Sequence, residues 1–331
     1  LAKSVFQLHG NDSNGKAVCR KKLRRAELLP FMANLPPCIV AMEACAGAHY
    51  WGRLFVAQGH KVRLIPPIYV KPFLKWQKND AADAEAIVEA ALRPTMRFVA
   101  VKTVEKQACA MAFKTRDLLV RQRTQAINAL RGHLTEHGVV VPIGLQNLPR
   151  LDAAVRDEEL LPDDVRIYCD ELLSLVADLS RRIAALDKRL RAQAQADELA
   201  SRLMAIPGIG PICASAIEAL APPASTFRKG RDFAAWIGLV PSQTSSGGKE
   251  RLGRISKQGQ RDLRRLLVIG ASSVVRWVRT RGTASDGWLS RMLARKPLQV
   301  VIVALANRMA RIAWALIATG TSYHPAASPI S

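Results

Sequence analysis

Acidic residues are scarce in this chain: 27 Asp and Glu stand against 49 Lys and Arg in 331 residues, a formal net charge of +22. A chain so short of carboxylates favours polyanionic partners, nucleic acid ahead of a membrane surface. Aromatic content is also low, at 5%, yet 49% of the residues are hydrophobic, which excludes a disordered chain and leaves room for two or three domains with a substantial core. No two of the six cysteines (Cys19, Cys38, Cys45, Cys109, Cys169, Cys213) form a C-x-x-C pair or a zinc-ligand spacing. Several lie in apolar runs, where a reduced Cys acts as a small hydrophobe, so a reducing, cytoplasmic setting is expected. No uninterrupted hydrophobic run spans a bilayer. The most apolar stretch, residues 298–318, carries Asn307, Arg308 and Arg311 through its middle and reads as a buried helix. Nor is a signal-peptide pattern seen, and no membrane partner is expected.

Against this basic background a few carboxylates stand out. Glu43 ends the apolar run Cys38-Ile39-Val40-Ala41-Met42, which reads as a buried strand. Asp80 and Asp83 open the run Asp80-Ala81-Ala82-Asp83-Ala84-Glu85-Ala86, rich in good helix formers, and so share one face at a helix start. Carboxylates at a strand end and on an adjoining helix can converge on a divalent metal, as in a nuclease-type site. The alternative is local: Asp80 as N-cap with Asp83 three residues later resembles a capping box and complements the helix dipole. Glu43 is harder to explain locally, because a charge leaving a core needs a partner or water.

Residues 1–103 alternate strand and helix signals. Ser4-Val5-Phe6-Gln7-Leu8 reads as a strand, Asn11-Asp12-Ser13-Asn14-Gly15 as a turn, and residues 17–20 as its partner strand. A helix over 25–33, the Glu43 strand, a helix over 49–58, a strand over 62–65, the aspartate helix and a strand over 98–101 follow. This order suggests an α/β domain of RNase H-like (RuvC-like) type. Residues 104–204 read as a helical, coiled-coil middle: Leu172, Val176, Leu179, Ile183, Leu186 and Leu190 form a heptad seam, suited to intramolecular packing or to dimerisation.

A mainly helical C-terminal domain is expected over 205–318, with a tail over 319–331. Ile206-Pro207-Gly208-Ile209-Gly210-Pro211 reads as a helix-hairpin-helix turn, in which Gly208 and Gly210 allow tight backbone geometry and the following amides can hold a phosphate; such hairpins also serve packing alone. From Arg228 to Arg281 there are thirteen Lys or Arg against three acids, with Trp236 and Trp277 among them, consistent with a nucleic-acid surface. At its centre a Ser/Gly loop, Ser242-Gln243-Thr244-Ser245-Ser246-Gly247-Gly248, is flanked by Lys249, Arg251, Arg254 and Lys257. Such a loop can present a hydroxyl to a phosphodiester while cations offset the charge that develops there.

Taken in order, these motifs resemble those of the insertion sequence 110 family of transposases, particularly its 1111 subgroup. The matching residues are Leu1-Ala2-Lys3-Ser4-Val5-Phe6-Gln7, Met42-Glu43-Ala44-Cys45, Lys78-Asn79-Asp80-Ala81-Ala82-Asp83-Ala84, Ile206-Pro207-Gly208-Ile209-Gly210, and the serine loop through Gly253-Arg254-Ile255-Ser256-Lys257. The resemblance spans essentially the whole chain. It implies an Asp-Glu-Asp-Asp site holding Mg²⁺ or Mn²⁺, to which this chain contributes Glu43, Asp80 and Asp83, and a catalytic serine at Ser246, with neighbouring Ser245 as the alternative. In the family the first aspartate immediately precedes the Leu-Ala-Lys segment. The sequence here starts at Leu1, so that carboxylate and its strand are expected to be absent, and Asp12, in the turn after the next strand, is not expected to replace it.

The function so implied is a bacterial, nucleoid-associated DNA recombinase. Ser246 would attack the backbone of element ends and target DNA, and an element-encoded RNA would guide target choice. Lys249, Arg251, Arg254, Lys257, Arg261, Arg264 and Arg265 would hold phosphates, and a homo-oligomer, dimer or tetramer, would assemble. Two other readings remain open at this point: a junction nuclease in which metal-activated water attacks, and an inactive nucleic-acid-binding remnant.

Overall fold

The turn residues from Asn11 to Gly15 close a hairpin, as their chemistry predicts. Strand β1 (Val5–Asn11) pairs antiparallel with β2 (Ala17–Arg24), and the Asp12 carboxylate accepts from the amides of Asn14 and Lys16 at 2.9 Å each. The computed structural model describes residues 1, 3–74, 79–157, 161–281 and 287–324. Ala2 and Lys78 of the quoted motifs, and residues 325–331 of the expected tail, lie outside the described residues. The chain divides into two compact units, Leu1–Gln107 and Ala108–Ser331.

In the first unit β2 leads into α1 (Arg25–Ala33), whose N-cap amide at Arg24 is satisfied by Glu27 Oε2 at 2.7 Å. Strand β3 (Ile39–Glu43), α2 (Ala48–Ala57) and β4 (Lys61–Ile65) form a parallel β–α–β unit. Short α3 (Pro67–Val70) precedes α4 (Asp80–Ala91). The core is aromatic: Trp51 meets Phe6 edge-on at 5.2 Å and Phe55 at 5.9 Å, over Leu28, Met32, Met42 and Leu64. Among the described residues the strands form separate two-stranded sheets, β1–β2 and β3–β4. The strand expected at 98–101 reduces to one bridge, Val99 N–H to Leu64 O at 2.7 Å. Its neighbours are held by side-chain contacts. The Arg63 guanidinium lies 5.0 Å from the Phe98 ring centroid and donates to Ala91 O, while Val101 packs against Gly52 of α2.

The second unit is helical except for one hairpin. Helices α5 (Val104–Glu136, counted here from Ala108), α6 (Leu148–Arg156) and α7 (Asp163–Ala196) pack through Ile127, Leu130, Leu134, Leu151, Val155 and Val176. The Arg116–Asp187 pair and the Arg123 to Ser180 hydrogen bond fix α5 and α7 antiparallel. Of the heptad seam, Val176, Leu179, Ile183 and Leu190 are buried within this unit, so the intramolecular use of the seam is the one observed. Helix α8 (Glu198–Met204) turns through residues 205–210 into α9 (Pro211–Leu220), followed by α10 (Gly230–Ile237), hairpin strands β5 (Pro241–Gln243) and β6 (Leu252–Ile255), and α11 (Arg261–Arg281), α12 (Gly287–Arg295) and α13 (Leu298–Thr319). By length and composition α13 is apolar enough to cross a membrane. Its Val301, Ile302, Ala306, Met309, Ala310 and Ala313 instead sit in the unit's core. All six cysteines are free thiols; Cys169 and Cys213 are buried, and burial pushes Cys213 up to about 12.

Candidate active-site elements

The three candidate carboxylates of the first unit open on one cavity. Glu43 is the last residue of β3 and half-buried, Asp80 is the first residue of α4, and Asp83 lies one turn on. All three line a cavity of about 620 Å³, together with residues 6–13 of the β1 hairpin and 39–42 of β3. The cavity's long walls are thus β1 and β3, which pair with β2 and β4 and not with each other. Asp12 also reaches this cavity, but its Oδ1 is held by the turn amides of Asn14 and Lys16.

Local capping does not account for the two aspartates. The N-cap of α4 is Asn79, whose Oδ1 accepts from Ala82 N–H at 2.8 Å, so neither Asp80 nor Asp83 is the cap. Among the described residues Glu43, Asp80 and Asp83 make no ion pair and no side-chain hydrogen bond. Their neighbour Arg63 is turned to the Ala91 carbonyl. Three carboxylates without a cationic partner among the described residues, opening on one cavity, suit a hard divalent cation in donor type. Their oxygens are not drawn into a ready ligand set: among the described residues no three His, Cys, Asp or Glu side chains are gathered closely enough to hold a metal ion.

In the second unit the serine loop is an ordered hairpin tip. Ser246 and Lys249 bridge, with Lys249 N–H donating to Ser246 O at 3.1 Å. Gly247 and Gly248 between them have φ of 58° and 76°. Positive φ at both central residues is the type I′ arrangement that matches strand twist, and it explains the Gly-Gly pair. The two serines differ. Ser245 Oγ accepts from Gln243 Nε2 at 2.9 Å and from Arg251 N–H at 3.2 Å, whereas the Ser246 hydroxyl is exposed and without a hydrogen bond among the described residues.

The expected phosphate-holding residues separate into two groups. Lys249, Arg251, Arg254 and Lys257 are exposed on the hairpin and its base, and Arg261 is exposed at the start of α11. Lys257 is, among the described residues, the one non-glycine at positive φ, 54°. Arg264 and Arg265 are engaged within the protein. Arg264 donates to Ile237 O at 2.7 Å and Gln258 O at 3.1 Å, with burial pulling its pKa down, and Arg265 pairs with the buried Asp117 on α5. Gly208 packs by backbone, since a Cβ there would lie 2.9 Å from Gly270 O on α11. Gly210, the N-cap of α9, faces open space. Lys229, Arg231, Arg308 and Arg311 were not singled out from sequence as binding residues; they share a groove with Arg254 and Lys257. By sequence Arg308 and Arg311 read only as charges a bilayer would penalise.

Comparison with known proteins identifies the family of the chain. A family model described as the transposase IS116/IS110/IS902 family matches residues 200–285, and a DEDD transposase model of the IS110 type matches residues 2–139. A "Probable family 20 transposase" of Pseudomonas aeruginosa is 48% identical, over 98% of this chain and 97% of its own length. The "Transposase for insertion sequence element IS1328" of Yersinia enterocolitica is 41% identical, covering 98% and 96%. The "Transposase for insertion sequence element IS1111A" of Coxiella burnetii is 40% identical, covering 98% and 89%. The chain therefore belongs to the IS110 family of insertion-sequence transposases.

Proposed function

We propose that this transposase cuts and rejoins DNA through the Ser246 hydroxyl, within an RNase H-like first unit plus helical second unit, and acts as a homo-oligomer guided by an element-encoded RNA. The observation that carries the serine assignment is the contrast at the hairpin tip: Ser245 Oγ is held by two donors, while Ser246 Oγ is exposed at the first position of a fixed turn. Ser246 Oγ attacks a backbone phosphorus, the P–O bond to one deoxyribose breaks, and that sugar oxygen takes up a proton. The phosphoserine ester conserves the bond energy, and attack by a second deoxyribose hydroxyl returns Oγ and rejoins the strand. Lys249 and Arg251 flank the tip and offset charge building on the phosphate.

Glu43, Asp80 and Asp83 would hold Mg²⁺ or Mn²⁺, which when bound supplies positive charge against a phosphate. The chain's own part is to present to one cavity three carboxylates that make no ion pair among the described residues. That same feature favours a second reading, a nuclease in which water attacks and Ser246 only contacts phosphate.

The test is a denaturing gel for a covalent protein–DNA adduct with labelled element-end DNA, Mg²⁺ and the flanking RNA. The serine reading expects an adduct that Ser246→Ala abolishes and Ser245→Ala retains. Metal-dependent cleavage that survives Ser246→Ala without any adduct establishes the nuclease reading instead.

A further inference from the structure

The second unit holds a groove of about 1560 Å³ bounded by the N-terminal end of α10, the base of the β5–β6 hairpin and one face of α13. Six cations line it: Lys229, Arg231, Arg254, Lys257, Arg308 and Arg311. No Asp or Glu lines it among the described residues. We propose that this groove seats the sugar–phosphate backbone of DNA beside the serine hairpin.

Charge is the first argument. Some cations elsewhere in this unit pack against carboxylates: Lys114 with Asp262, Arg116 with Asp187, Arg265 with Asp117. Among the described residues Lys229, Arg231, Arg254, Lys257 and Arg311 have no carboxylate partner, and all five are exposed. Like charges collected along a low-dielectric wall repel one another and focus a positive potential, and a polyanion relieves that repulsion. Three elements contribute, α13 lying far along the sequence from the other two, so the charge follows the groove and is not the solvated face of one helix.

Pre-organisation is the second argument. Lys257 is held at φ 54° by its own amide donating to Gly238 O at 3.2 Å, while the next-door amide of Ser256 donates to Val240 O at 2.8 Å. A non-glycine kept in that region stores strain, of the kind found where a side chain must point one way. On the opposite wall the Arg308 guanidinium lies over the Trp288 ring, 5.0 Å from its centroid, which fixes a planar donor fork. The groove floor is apolar, with Val300, Val303 and Ile312, and suits deoxyribose packing between charged rims. The groove also accounts for α13: its buried face is apolar, and Arg308 and Arg311, three residues apart, share the face turned to the groove. DNA is the occupant chosen because the hairpin strands that carry Ser246 also form this groove's wall, so a strand lying in it runs towards the tip.

Fluorescence anisotropy of a labelled DNA duplex, titrated with full-length protein in a Ser246→Ala background over a range of NaCl, tests this. Each phosphate contact contributes about 0.9 to the slope of log affinity against log salt. The triple variant Lys229→Ala/Arg231→Ala/Arg311→Ala should therefore lose about 2.7 in slope, so that a fourfold rise in salt weakens it about 40-fold less than the parent. The conservative variant Lys229→Arg/Arg231→Lys/Arg311→Lys should keep the parent slope. So should Lys188→Ala/Arg189→Ala/Arg191→Ala, three exposed cations on α7, and all should melt with the parent. An unchanged slope in the groove variant, an equal loss in the α7 variant, or a loss seen only with RNA of the same sequence overturns the proposal. Because the readout is non-covalent and lacks Ser246, failure of the serine mechanism leaves the result interpretable.

Discussion

Replacing Gly247 separates a fixed turn from a flexible tether. Gly247 and Gly248 sit at φ 58° and 76°, and a Cβ added at either would meet nothing within 4 Å. Gly247→Ala therefore introduces no clash, and its cost is the backbone penalty of an L-residue in the left-handed region, about 1–2 kcal/mol. The hairpin has little reserve against this. Strand β5 is three residues long, residues 241–250 are all exposed, and an isolated two-stranded ribbon is marginal in water. The penalty then passes nearly whole into the population of the presenting turn, slowing adduct formation by about 5- to 30-fold. Gly247→Asn should stay near the parent rate, because Asn-Gly is a favoured type I′ pair. A gel time course of the adduct measures the rates, and calorimetry should show an unchanged melting transition, since no core atom is disturbed. Equal rates for Gly247→Ala and Gly247→Asn, or a lowered melting temperature, would refute the reasoning that the turn conformation presents Ser246.

Gly270→Ala pits helix propensity, worth about 1 kcal/mol in favour, against overpacking, about 1–3 kcal/mol. The Cβ would press into the backbone carbonyl of Gly208, which no rotamer can relieve, so a net loss and a lower melting temperature of the second unit are expected. Asn79→Ala removes the cap on α4 and should cost about 1 kcal/mol in thermal unfolding; an unchanged melt would mean the helix start is held otherwise. His49 gives a pH signature. Burial first, then Lys102 and Arg53, lower its pKa, and its Nδ1 accepts from the Lys102 amide at 3.2 Å. The unfolded chain therefore binds the extra proton at higher pH, and this contribution is present above about pH 6.5 and lost as pH falls through the lower folded value. His49→Gln should flatten the fall in melting temperature of the first unit between about pH 7.5 and about pH 5.5, and an identical fall in both proteins counts against the assignment.

Much of the framework was legible because it rests on local chemistry. The Asn-Asp-Ser-Asn-Gly turn gave the first hairpin, though β1 and β2 run longer than the alternation alone suggests, Val5–Asn11 and Ala17–Arg24. The strand over 98–101 was not legible as a bridge, since whether an apolar run joins a sheet depends on what draws its neighbours. Here Phe98 is held through its ring by the Arg63 side chain and Val101 packs on Gly52 of α2, and between them only Val99 bonds to the β4 backbone. The capping alternative for Asp80 turned on a single position. Asn79 and Asp80 are both good N-caps by type, and only the geometry assigns the role to Asn79.

The candidate site shows why charge in sequence overstates some residues and misses others. Arg265 lies in the most basic run of the chain, yet its partner Asp117 is 148 positions away, beyond any local window. Arg308 and Arg311 sit in an apolar helix, where sequence marks them only as exceptions, and the fold turns them towards Lys229 and Arg254. The informative quantity is therefore not how many cations a segment carries but which remain after the carboxylates are engaged. The same reasoning runs in reverse in the first unit. There Glu43, Asp80 and Asp83 open on one cavity and make no ion pair among the described residues. Among the described residues, cations without a carboxylate partner line the groove of the second unit, and carboxylates without an ion pair line the cavity of the first; a polyanion and a divalent cation are the ligands whose charges complement them.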